Sequence, residues 1–245
     1  MAGLRFTLAL LALMLVSIRA AEKKDKSVSE RIEEANANIV RAPDGRFVED
    51  DVAYDSEGER NADPCTSHNC KWDQASDGMV YVPYAIANHY TSRERAIIER
   101  GLQSFHSVSC IRFVPRTSER DYIHIQSLDG LGLISGYLCH DVVQHELLHA
   151  LGFKHEQCRS DRDQHIRILW ENVIPGWEYA FDKINTLNQG IPYNYNSVMQ
   201  CSKFAFSKNN QPTMEPIPDP NVEFGVATEM SQNDITRLNR LYNCS

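Results

Sequence analysis

His145-Glu146-Leu147-Leu148-His149-Ala150-Leu151-Gly152-Phe153-Lys154-His155 is the stretch that most narrows what this chain can become. The pattern from Asp141 to Leu151 is helical, and Gly152 stands where that helix should stop. Two histidines four residues apart project from one helix face and can share a metal ion. Gly152 can adopt the left-handed backbone that turns the chain back, so that His155 supplies a third imidazole. Three neutral imidazoles leave one coordination position open, as a catalytic zinc site requires. Zinc there would lower the pKa of a water to about 7. Glu146, beside the first ligand, is placed to take that water's proton during attack on a peptide carbonyl and to pass it to the leaving amine. The expected site is therefore His145, His149 and His155 as ligands of one Zn2+ per chain, with Glu146 as the catalytic base. His68, His89, His106, His124, His140 and His165 are scattered and read as surface or core residues.

The rest of the 245 residues divides by composition. Arg5, the apolar run Phe6 to Val16 and the small residue Ala20 read as a secretory signal peptide over 1–20. Residues 21–60 hold twelve acidic and seven basic side chains, which accounts for much of the net charge of −8. With few aromatics, they are expected to pack poorly on their own and to form a propeptide that ends at Arg60, where a trypsin-like protease would cut. A globular unit follows over 61–245. Met79 to Tyr84, Ile111 to Val114 and Tyr122 to Ile125 alternate as strands. Thr91 and Glu94 open a helix as a capping box, Ser231 and Asp234 open a last one, and Ile191 to Pro220 reads as loops. The sum is an α+β domain. No basic cluster suits nucleic acid, and no segment after the signal peptide is apolar enough to span a membrane. Seven cysteines in a secreted chain imply disulfides with one cysteine left over.

The zinc segment runs on as Glu156-Gln157-Cys158-Arg159-Ser160-Asp161-Arg162-Asp163, and Pro192 to Met199 includes Ser197-Val198-Met199. Together these resemble the signature and Met-turn of the astacin family of metzincin proteases, and most of all the six-cysteine fish hatching enzymes. The resemblance implies a two-lobed fold with zinc in the cleft between the lobes. It implies endoproteolysis of protein or peptide substrates such as an egg envelope, in a secreted monomer released through secretory granules. It also implies that Met199 lies beneath the zinc and that Glu156 holds the new amino terminus, Asn61. By the same likeness Cys65 pairs with Cys70 and Cys110 with Cys244. Phe47 to Val52 resembles the family's inhibitory segment, with Asp51 at the zinc-ligating aspartate.

Three departures stand out. Ser127 to Leu138 is shorter than the family's segment and lacks its cysteine and its substrate-aligning edge strand. Cys139, Cys158 and Cys201 have no family partners. Cys201 stands where the family has a tyrosine thought to stabilise the oxyanion. These departures support an alternative, a catalytically weak or inactive relative that keeps zinc and acts by binding.

Overall fold

The strands expected around Val80 form a sheet because each flanking strand has the same direction and needs a crossover to achieve it. In the computed structural model, which describes residues 26–36, 71–126 and 138–244, β1 (Val80–Ile86) lies between β2 (Ile111–Pro115) and β3 (Ile123–Ile125). Both neighbours run parallel to it, with Val80 opposite Ile111 and Tyr84 opposite Ile123. The crossover between β1 and β2 is α2 (Ser92–His106). Its capping box forms as expected: Thr91 Oγ1 accepts from the Glu94 N–H, and the Glu94 carboxylate accepts from the Thr91 N–H. Its buried residues Ile98, Gly101, Leu102 and Phe105 make one helical stripe.

That stripe packs against α3 (His140–Ala150), the helix bearing the histidines. The helices approach so closely that a methyl group on Gly101 would lie 2.4 Å from Val143 Cγ1. The last helix, α4 (Gln232–Leu241), is capped by Ser231 and Asp234 and adds Leu238 and Leu241 to the same core. A disulfide between Cys110 and Cys244, 134 residues apart, fastens the chain after α4 to the start of β2. In the chain-entropy model a loop of that length contributes roughly 5 kcal/mol. The Cys65–Cys70 pair lies outside the described residues.

A second core of Ile166, Val173, Phe181, Met214 and Phe224 organises the loops after α3. The loop reading of 191–220 is corrected at one place. Met214–Pro216 forms β5, antiparallel to β4 (Ile166–Ile168), with Ile168 opposite Met214. Met214 stands among Pro212, Pro216 and Pro218, which read as loop.

Part of the stretch 21–60, expected to pack poorly on its own, packs against the rest of the chain. Val28–Asn36 folds as α1, and Val28 and Ile32 are buried in the first core. Nine residues make a marginal helix in water, so α1 takes its stability from the surface it covers. The Val28 N–H donates to Ala227 O at 3.0 Å, the Ser202 N–H donates to Ser29 Oγ at 2.6 Å, and Arg31 pairs with Asp141. Among the described residues, no helix is long and apolar enough to cross a membrane.

Gly101→Ala should force α3 away from α2, because Val143 is β-branched and stiff at the contact. A loss of about 1–3 kcal/mol is expected from overpacking, read as a lowered midpoint in urea. A wild-type midpoint would show that the two helices slide apart freely.

Candidate metal centre

Every constraint on the three histidines is local or one contact away. His145 and His149 share a face of α3. The helix ends at Leu151, and Gly152 takes φ +95°, which only glycine adopts without strain. The Gly152 N–H donates to His149 O at 2.9 Å and the Phe153 N–H to Leu148 O at 3.0 Å, closing the turn that brings back His155. The His145 Nε2 lies 3.1 Å from that of His149 and 3.3 Å from that of His155. A tetrahedral ion with Zn–N bonds of about 2.0–2.1 Å would hold two ligand nitrogens about 3.3 Å apart. One ligand atom from each of the three residues lies within 4.8 Å of the others.

The hydrogen bonds behind the rings decide what those nitrogens are. His145 Nδ1 lies 2.7 Å from Val198 O, and His149 Nδ1 lies 2.8 Å from Phe153 O. A carbonyl only accepts, so each Nδ1 carries a proton, which leaves Nε2 as the ligand atom that a neutral ring would offer a metal. Two neutral rings protonated at Nδ1 would bring two acceptor nitrogens within 3.1 Å of each other. Such a pair would accommodate a cation, and the imidazole set suits zinc. Glu146, half-buried, follows His145 on α3.

Behind the rings, the Val198 carbonyl belongs to a turn held by Asp234 of α4. The Asp234 carboxylate accepts from Ser197 Oγ at 2.5 Å, from the Val198 N–H at 3.3 Å and from the Ser231 N–H at 2.9 Å. Met199 is fully buried in this turn, and its carbonyl accepts from the Glu156 N–H at 2.8 Å. Glu156 itself is buried. One carboxylate oxygen accepts from Arg159 at 2.8 Å and from the Asn194 N–H at 2.8 Å, and the other accepts from Arg237 of α4 at 2.5 Å. The amino-terminal partner expected for Glu156, Asn61, lies outside the described residues. Arg159 also grips Asp161 through two bonds. Burial raises the Asp161 pKa, but the Arg159 guanidinium outweighs it and holds the carboxyl below its ordinary value. Asp234 and Arg237 were not read as site residues from sequence. The capping box at Ser231 marked Asp234 as ordered, but nothing marked its reach to the turn.

The departures take definite places. Cys139, Cys158 and Cys201 form no disulfide among the described residues. Cys201 accepts from Gln157 Nε2 at 2.9 Å, and its N–H donates to Gln157 Oε1 at 3.2 Å. The nearby tyrosine hydroxyls are engaged elsewhere: Tyr193 donates to Gln200 Oε1 and Tyr195 to His165 O. Burial pushes the Tyr193 hydroxyl pKa well above its ordinary value, so it stays protonated. Residues 127–137 and Asp51 lie outside the described residues.

Residues 66–243 match the model of the family Astacin (Peptidase family M12A). The chain is 38% identical to the low choriolytic enzyme of Oryzias latipes, over 96% of this chain and 97% of that one. It is 45% identical to high choriolytic enzyme 1 of the same fish, over 76% of this chain and 74% of that one. The solved structure of high choriolytic enzyme 1, a hatching enzyme zinc-protease, superposes with a TM-score of 0.71 at 44% identity, covering 73% of this chain and 97% of that one. With that match in sequence and in an α+β metzincin fold, the chain belongs to the astacin family of zinc metalloendopeptidases.

Proposed function

We propose that this protein is a secreted zinc endopeptidase in which His145, His149 and His155 hold one zinc ion and Glu146 is the general base. The observation that carries the reading is the convergence of the Nε2 atoms, with the Nδ1 protons of His145 and His149 committed to carbonyl groups. When bound, zinc supplies Lewis-acid chemistry and brings the pKa of a water to about 7. Glu146 accepts the proton of the attacking water on a carboxylate oxygen and delivers it to the leaving amine. Val198 O and Phe153 O hold the rings of His145 and His149 in orientation.

In this reading residues 1–20 are a signal peptide, 21–60 a propeptide and 61–245 the peptidase, released by a protease that cuts after Arg60. Relatives named for choriolysis and hatching support a substrate in an egg envelope or another extracellular protein layer. A second reading, a weak or inactive relative that keeps zinc and binds, is favoured by one observation. Cys201 carries no hydroxyl, and Tyr193 and Tyr195 spend theirs elsewhere. Loss of one oxyanion donor typically lowers turnover by about 10²–10³, which leaves measurable activity.

Purified protein cut after Arg60 should contain one equivalent of zinc by elemental analysis and should cleave a broad peptide mixture. Glu146→Gln should keep the zinc and lose about 10²–10⁴ in rate. Zinc well below one equivalent without chelators rejects the site. Full zinc with no cleavage above the Glu146→Gln level establishes the binding-only reading.

Latency is expected from the uncut chain. Asp51→Ala should raise the activity of the uncut protein toward that of the cut form. Equal activity in both uncut proteins, well below the cut form, would remove Asp51 as the switch.

A further inference from the structure

The surface that α1 covers carries a charge that the metal chemistry does not use. Asp141 lies four residues before His145 on α3, so it shares the stripe that faces the metal centre. One helical turn, about 5.4 Å along the axis, separates the two positions. Asp141 is only 1% exposed. Its Oδ1 accepts from the Val142 N–H at 3.0 Å, and its Oδ2 is held by Arg31 of α1. The same helix sends Ser29, Ile32 and Glu33 into a small cavity that they line together with His145, His155 and Cys201. One short segment therefore lays side chains over the metal histidines and a guanidinium on the carboxylate one turn upstream. When that segment leaves, Asp141 loses the counter-charge of Arg31. A carboxylate in a partly desolvated groove is a site for a basic side chain.

We propose that Asp141 is a specificity-determining residue of the mature peptidase, its carboxylate forming a subsite for an arginine or lysine side chain of the substrate in the place that Arg31 fills in the precursor. The inference rests on reading residues 21–60 as a removed propeptide. An extended peptide advances about 3.3 Å per residue, so one helical turn corresponds to roughly two residues. The basic residue should therefore lie within about two or three positions of the bond that is cut. Arg31 supplies the shape of the interaction: an N–H of its guanidinium meets Oδ2, while Oδ1 stays tied to the Val142 N–H.

The test uses the full chain cut after Arg60 and peptide sets that differ only in carrying Arg, Gln or Glu at each position near the scissile bond. The measured quantity is the ratio of kcat/KM for the Arg peptide over the Gln peptide, in which a general loss of activity cancels. Wild type should favour Arg by tenfold or more at one position. Asp141→Asn, nearly isosteric, should abolish that preference, and Asp141→Lys should favour Glu instead. The affinities of the same peptides for a cut Glu146→Gln protein, with and without Asp141→Asn, should show the same ratios. Ratios unchanged in the variants, with raised activity of the uncut Asp141→Asn chain, would show that the Arg31 pair is only a latch and would overturn the subsite. If cut wild type cleaves neither peptide, the peptidase reading fails, and the affinity ratios still decide the subsite.

Discussion

Convergence of three imidazoles is the constraint around which this molecule is arranged. The His145 and His149 Nε2 atoms lie 3.1 Å apart, a spacing that a shared cation would suit. Neither ring can escape by turning over, because each Nδ1 proton is already committed to a carbonyl. One of those carbonyls, Phe153 O, comes from the turn that Gly152 makes possible. The other, Val198 O, comes from a loop that α4 holds through Asp234. The ligand set is thus preorganised from two directions, one local in sequence and one remote.

A buried ionic cluster supports the same loop from below. Glu156 lies between Arg159 and Arg237 and also receives the Asn194 N–H, so its charge is hydrogen-bonded on both oxygens. Such a pair adds little net stability compared with apolar packing, but removing one partner typically costs about 3–5 kcal/mol because a bare charge stays buried. The cluster joins the segment after His155, the turn around Met199 and α4 into one unit. The ring positions therefore depend on residues that never approach the metal.

The parts visible in the sequence were those whose physics is local. The histidine spacing, the glycine that stops α3 and the two capping boxes each lie within eleven consecutive residues, and each forms. The β4–β5 pair was hidden because β5 lies among Pro212, Pro216 and Pro218, whose punctuation reads as loop. The docking of α1 was hidden because Val28 and Ile32 are two apolar residues in a highly charged stretch, and their value depends on a groove made by other elements. Asp234 and Arg237 were hidden for a different reason. Arg237 meets Glu156 across 81 residues, and nothing near either residue announces the other.

The order of these elements along the chain has a consequence for biosynthesis. During synthesis, chains emerge and begin to fold from the amino-terminal end. The histidines of α3 are made long before Asp234 and Arg237, so the rings lack their rear support until α4 has been translated. The helix α1 is made before either. By the time α4 can brace the three histidines, the helix that packs beside them has already been made.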